Sequence, residues 1–386
     1  MLTNKSSGHW RLSGFYFFYF ASIGTLIPYW GLYLKSHGYS SQQIAFVFAA
    51  IMGTKIISPN IWGWIADITG QRLKVIRIAS FLSVLVFLGV FVSLDYGWIV
   101  FVMMTFSFFW NANLPQFEAL TLAHLGKQTH RYSEIRLWGS WGFVLMVMIL
   151  GVVFETYGVE LFPLVFSVLL LGIWMSSFLV SNPRSATSGD SDVSILSILR
   201  HPPVIVFLLS CLLLQMSHGP YYAFYSIYLE QNHYSRSLIG ELWALGVIAE
   251  IVIFLLMHRL LSKYGIRRLL IVSLALTSIR WLVIGRFVDS LLFLILAQCF
   301  HAASFGVFHA VAIHLIHQFF PGATQGRGQA LYSSVSFGAG GALGALYSGY
   351  SWVNFGPQAT FYLAATIALF ALLLVGACSR LGNLLR

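Results

Sequence analysis

Two long apolar runs, Leu238 to His258 and Leu269 to Phe287, each carry one ionisable residue that hydrocarbon would penalise, Glu250 in the first and Arg280 in the second. A charge at that depth costs roughly 3 kcal/mol on insertion scales, so such residues face a partner or a water-filled cavity. At ~1.5 Å of rise per residue their depths differ by about 6 Å, which two long side chains span. Glu250 and Arg280 are therefore a candidate ion pair, read equally well as a structural tie or as a site that exchanges a proton. In the next run, Ser290 to Phe320, His309 lies near mid-membrane, where an imidazole could relay a proton to Glu250.

Other polar groups interrupt the apolar pattern. The run Gly97 to Ala123 contains Trp110-Asn-Ala-Asn-Leu-Pro115-Gln-Phe-Glu118, in which lipid would penalise Asn111, Asn113 and Glu118 and Pro115 frees a backbone carbonyl. Such a helix should line water. Arg136, at the head of the run Leu137 to Phe154, either pairs with Glu118 or anchors the helix at the interface. The run Pro203 to Leu229 holds His218, Tyr221 and Tyr222, aromatic faces with hydrogen-bonding tips suited to a ring-shaped ligand, and Tyr16, Tyr19 and Tyr29 stand in related places in the first run. Lys55, in the run Gln43 to Ala66, is a further cation within a span. Lys55, Arg136 or Arg280 could each meet a carboxylate.

The elements that must hold these groups follow from composition. Of 386 residues, 58% are hydrophobic and 9% charged, and mean hydropathy is +0.79. A soluble domain carries about 25% charge, so this is a polytopic membrane protein rather than a soluble enzyme or a nucleic-acid binder, despite a pI near 9.6. The first run, Leu12 to Leu34, is too long for a signal peptide core and should stay as a helix. Cys211, Cys299 and Cys378 lie inside apolar runs without metal-ligand or disulfide spacing.

Counting runs of spanning length predicts twelve transmembrane helices, from Leu12–Leu34 to Pro357–Cys378. Seventeen of the 22 Lys and Arg residues then fall on the side of the N-terminus and three on the other, which predicts both termini in the cytoplasm. A Ser-, Asp- and Pro-rich linker at 182–202 divides the chain into six-helix bundles at 1–181 and 203–386.

The halves repeat. Shifting Gly24, Tyr33, Leu34, Tyr39, Ser40, Ile44, Gly70 and Arg72 by 195 residues lands on Gly219, Tyr228, Leu229, Tyr234, Ser235, Ile239, Gly265 and Arg267. The same shift carries Lys55 onto Glu250. Parallel six-helix repeats about an axis along the membrane normal place a shared cavity at the midplane.

Gly63-Trp-Ile-Ala-Asp67-Ile-Thr-Gly70-Gln-Arg72 resembles the G-x-x-x-D-x-x-G-x-R signature of the major facilitator superfamily, matching at Gly63, Asp67, Gly70 and Arg72. Glycines permit a tight turn, and contacts of Asp67 that break and reform would gate access. The second-half copy keeps Gly265 and Arg267 but lacks the acidic residue. With Arg136-Leu-Trp-Gly-Ser140, His218, Tyr221-Tyr222, Trp243-Ala-Leu-Gly-Val-Ile-Ala-Glu250 and Ile279-Arg280-Trp281, the chain resembles the 3-phenylpropionic acid transporter family, near the lactose-permease-like proton symporters. The resemblance implies ligand binding at Glu118 and Arg136 and proton coupling at Glu250, Arg280 and His309. It departs in the tenth span, which has no acidic residue.

The expectation is an all-α inner-membrane symporter of bacteria that imports a small organic solute with a proton, most simply an aromatic carboxylate, as a monomer and without a cofactor. A sugar or nucleoside symporter is the alternative within the class. Outside it stands a membrane redox protein with haem on His301, His309, His314 or His317, although ligands from a second helix would be needed.

Overall fold

Lipid offers no partner to a backbone amide, so chains of this composition satisfy their amides within helices. The computed structural model describes residues 9–182 and 195–378, and among them every regular element is helical. Most of the expected linker, 183–194, lies outside the described residues, as do Lys5, Arg184, Arg380 and Arg386 of the charge count.

Among the described residues ten helices are long and apolar enough to cross a membrane: α1 (His9–Ser36), α2 (Ser41–Thr69), α3 (Arg72–Phe91), α4 (Tyr96–Leu125), α5 (Tyr132–Tyr157), α6 (Val159–Phe178), α7 (Pro202–Gln231), α8 (Arg236–Arg286), α9 (Leu291–Phe319) and α10 (Gln325–Ala377). Helices α8 and α10 have 51 and 53 residues, more than twice the ~20 that span a bilayer. Each is broken once, at Gly265 (φ 72°) and Gly356 (φ 84°), where only glycine turns left-handed without strain. The apolar runs that the sequence separates lie on either side of these two breaks.

Left-handed residues also expose the repeat. Among the described residues they are Gly38, Gly70, Gly126 and Gly158 in the first half and His233, Gly265, Gly322 and Gly356 in the second. They pair in order at the repeat spacing or within a few residues of it, so the turns recur with the sequence.

Local chemistry sets the ends and bends. The Asp95 carboxylate accepts from the Gly97 and Trp98 amides at 3.0 and 3.3 Å and starts α4. Pro220 removes an amide from the ladder of α7, and the helix is interrupted at His218.

The described residues divide into two compact units, one of residues 9–40, 57–182 and 235–241, the other of residues 41–56, 195–234 and 242–378. They depart from the two halves of the sequence at equivalent places, the opening turns of α2 and of α8. Small residues permit both exchanges. A Cβ on Gly349 would lie 2.3 Å from the Ala45 Cβ, and one on Gly240 would lie 2.2 Å from the Val147 carbonyl oxygen.

In the first unit α1 packs on α5 and α6, and α3 on α4 and α6. A run of rings fills the space, with Phe15 stacked on Phe117 at 3.7 Å and Tyr19 on Trp110 at 5.1 Å. Tyr16, Tyr19 and Tyr29 are all buried there. Backbones meet where the sequence supplies glycine: a Cβ on Gly142 would stand 2.2 Å from the Phe17 carbonyl oxygen, a backbone atom that cannot rotate away. Gly142→Ala is expected to destabilise the protein by about 1–3 kcal/mol through overpacking. Gly14→Ala, with nothing within 4 Å of the added methyl, should melt in detergent with the wild type. Equal melting temperatures for Gly142→Ala and wild type would contradict this packing.

Candidate functional site

In the second unit the break at Gly265 folds α8 back, so that Glu250 and Arg280 come from two segments of one element, and α9 adds Gln298, His301 and Ser304. Arg280 is fully buried. Its Nε donates to the Ala297 carbonyl at 2.9 Å, Nη1 to Ser304 Oγ at 3.0 Å and to His301 Nδ1 at 3.1 Å, and Nη2 to Gln298 Oε1 at 3.3 Å. The guanidinium lies 4.3 Å from the Tyr221 ring and 4.5 Å from that of Trp281. These contacts supply acceptors and aromatic faces to a cation withdrawn from water.

A guanidinium only donates, so Nδ1 of His301 accepts and the imidazole proton sits on Nε2. That nitrogen lies 3.6 Å from Glu250 Oε2, just beyond hydrogen-bond length. Arginine thus selects the tautomer that presents a donor to the carboxylate. Glu250 keeps 17% side-chain exposure against 8% for His301, which makes the carboxylate the accessible end of the chain. Glycines bring α8 and α9 together around it: a Cβ on Gly246 would lie 3.0 Å from Gln298 Oε1, and one on Gly306 would lie 3.3 Å from Glu250 Cγ.

Glu250 and Arg280 are therefore coupled through His301. The imidazole expected in this role, His309, shares a hydrogen bond of 3.0 Å between Nδ1 and the Tyr332 hydroxyl. Sequence depth contained the distinction. On the expected twelve-span order the two runs have the same direction, and His301 lies eleven residues into its run where Glu250 lies twelve into its own.

Around Arg280, Tyr221 is buried, donates to Gln298 Oε1 at 3.0 Å and rests on Trp243 at 4.3 Å between centroids. His218 is buried beside Trp281 and Tyr222. Its Nδ1 lies 2.8 Å from the Leu214 carbonyl, which can only accept, so Nε2 presents a lone pair. Tyr222 is partly exposed.

A second group occupies the first unit. Glu118 Oε1 accepts from the Tyr132 hydroxyl at 3.1 Å, and Tyr132 meets Tyr16 edge-on at 6.3 Å. Arg136 lies within electrostatic reach of Glu118 and stacks 3.6 Å from the Phe20 ring centroid. Asn111 and Asn113 are buried on α4, and Asn113 accepts from Ser80 Oγ at 2.9 Å. Tyr132 escapes the sequence reading because the apolar run begins at Leu137, whereas the helix begins five residues earlier.

The signature segment forms a third group. Gly70 turns left-handed (φ 63°), and Arg72, just beyond it, reaches back to Asp67 at 2.5 Å and across to Gln116 Oε1 at 3.0 Å. Gly63 packs beneath, 3.3 Å from Gln116 Nε2 to an added Cβ. In the second-half copy Arg267 donates to the Gly376 carbonyl at 3.4 Å. Lys55 belongs to none of these groups; its Nζ lies 5.9 Å from the Phe337 ring centroid.

Among the described residues no three His, Cys, Asp or Glu side chains gather as a metal site. The histidines of α9 part company: His301 meets Arg280, His309 meets Tyr332, His314 meets Gln318 and His317 meets Gln325.

Helical spans built as repeats, with charged groups inside them, define a membrane transporter. The sequence matches the MFS_1 like family over residues 9–363, and the chain belongs to that family, within the major facilitator superfamily of secondary transporters. It is 29% identical over 385 residues to a probable 3-phenylpropionic acid transporter of Escherichia coli (strain K12), covering 95% of this chain and 97% of that one. It is 25% identical over 343 residues to a maltose permease of Geobacillus stearothermophilus, covering 87% and 86%. The crystal structure of the nucleoside transporter NupG has the same fold, with a TM-score of 0.79 at 15% identity over 96% of this chain and 98% of that one.

Proposed function

We propose that this protein is a proton-coupled importer of a small organic anion, an aromatic carboxylate such as 3-phenylpropionate, in the bacterial inner membrane. On this reading α8 and α10 each cross twice, giving twelve crossings with both termini in the cytoplasm, and the monomer is the working unit. The observation that carries it is the chain Arg280–His301–Glu250, a fixed cation behind a neutral imidazole behind an accessible carboxylate.

That order suits a proton carrier. With Glu250 ionised, the Nε2–H of His301 and the charge of Arg280 behind it stabilise the anion. Arg280 and ionised Glu250 sum to zero, whereas protonation of Glu250 leaves one positive charge that a bound monoanion cancels, so the empty ionised carrier and the carrier loaded with proton and anion are the two forms cheaper to carry past lipid. Binding of solute would shift this balance while the repeats rock around the site, with the Asp67–Arg72 contact as part of the gate. The similarity to the probable 3-phenylpropionic acid transporter supports the substrate class.

Neutral sugars are the second reading. Glu118 beside Tyr132 is an acceptor that hydroxyl groups would use, and the maltose permease is a relative.

Uptake of labelled 3-phenylpropionate into proteoliposomes separates the two. One proton per monoanion moves no net charge, so accumulation should reach about tenfold per pH unit and ignore a membrane potential. A neutral sugar carried with a proton moves one charge and gains about 2.3 kcal/mol per 100 mV. Absence of aromatic-acid uptake by folded protein, with potential-driven uptake of maltose, would replace the first reading by the second.

A further inference from the structure

Two stretches of π-helix interrupt the spans of the second unit, Ala302–Val307 in α9 and Ser334–Gly340 in α10. Such wide turns are uncommon and concentrate at functional sites, because the extra residue redirects the side chains around it. Both carry the tripeptide Ser-Phe-Gly, as Ser304-Phe305-Gly306 and Ser336-Phe337-Gly338. In each the glycine lies against a charged position of the repeat. A Cβ on Gly306 would lie 3.3 Å from Glu250 Cγ, and one on Gly338 would lie 3.1 Å from the Ile56 amide, next to Lys55. Glu250 and Lys55 are the residues that the repeat superposes.

The two phenylalanines are neighbours with their rings tilted by 53°. Phe305 and Phe337 are 6.3 Å apart between centroids, and His309 lies 5.8 Å from Phe305 and 6.3 Å from Phe337. Tyr332 holds the His309 ring through Nδ1. These three rings are only partly buried, whereas the adjoining Gly306, Phe308, Ser336 and Gly338 are buried, and Phe337 also packs against the buried core. Lys55 stands midway along α2 with Nζ 5.9 Å from the Phe337 centroid, and no carboxylate among the described residues pairs with it. An ammonium at that depth, beside partly buried aromatic rings, is complementary to an anion that carries its own ring.

We propose that Lys55 and the two Ser-Phe-Gly π-helical segments form the seat of the aromatic anion, its carboxylate on the Lys55 ammonium and its ring against Phe305, Phe337 and His309. The assignment rests on the aromatic-carboxylate reading above and names the residues that select charge and ring. It leaves Arg280, whose donors are engaged within the protein, to the proton site.

Proteoliposome uptake of 3-phenylpropionate, with 3-phenylpropanamide and 3-cyclohexylpropionate as competitors, tests it. Wild type should prefer acid to amide and phenyl to cyclohexyl. Lys55→Gln should raise KM for the acid at least tenfold and erase the preference over the amide, and Lys55→Arg should restore most of it. Phe337→Leu should erase the preference for phenyl over cyclohexyl while keeping that for acid over amide, and Phe337→Tyr, which keeps an aromatic face, should restore the phenyl preference. If wild type takes up the acid and both variants keep both preferences, this seat is wrong and the transport reading stands. If wild type takes up no aromatic acid, both fall.

Discussion

Glu250→Gln abolishes accumulation driven by a pH gradient and leaves exchange of solute across the membrane within about twofold of wild type. The amide has the shape of the protonated carboxyl group and holds no exchangeable charge, so the loaded carrier is mimicked at every pH. Exchange needs only the loaded carrier to cross in both directions. Net accumulation needs it also to return empty after releasing its proton, and that step has no counterpart in the variant. Net uptake under the gradient should therefore vanish, against accumulation of about tenfold per pH unit in wild type. Folding is not at risk, since the side chain is 17% exposed and an amide oxygen can still face Nε2 of His301. Solute loading of liposomes under an inward proton gradient, with counterflow measured on the same preparation, reads both quantities. Retained accumulation would remove Glu250 from the proton path.

Much of this architecture is visible in the sequence because lipid imposes it. Apolar runs, short basic loops and the repeat shift follow from hydrocarbon thickness and backbone satisfaction, and α1 through α7 fall on the expected runs. Rotation about a helix axis leaves no such mark. Depth alone could bring Glu250 near Arg280, but the position of His301 between them depends on the faces that α8 and α9 present. Even so, depth on the expected twelve-span order favours His301, which lies as far into its run as Glu250 does into its own. The π-helical stretches were hidden, since a wide turn has the same composition as a tight one. Only the recurrence of Ser-Phe-Gly at 304–306 and 336–338 hints at them. Lys55 illustrates the reverse case: its charge was conspicuous, whereas the ring it lies beside, Phe337, comes from α10, far along the chain.

Arg280→Met should cost about 3–5 kcal/mol of stability and end transport, whereas Arg280→Lys should fold and still transport at least tenfold more slowly. The methionine leaves the Ala297 carbonyl, Ser304 Oγ and His301 Nδ1 without their donor in a fully buried space, the situation in which loss of one partner is most destabilising. Lysine restores the charge but concentrates three donors on one atom, so it cannot reproduce a planar fork that reaches four acceptors and lies against Tyr221 and Trp281. The more specific consequence concerns His301. Without the guanidinium nothing holds Nδ1 as an acceptor, so the proton divides between the two nitrogens and the donor facing Glu250 is present only part of the time. Nitrogen NMR of labelled histidine should find a single tautomer for His301 in wild type and a mixture in Arg280→Lys, with the fraction lost from Nε2 tracking the fall in coupled uptake. Arg280→Lys at the wild-type rate, with the tautomer unchanged, would mean that Arg280 supplies charge alone and that orientation of His301 plays no part.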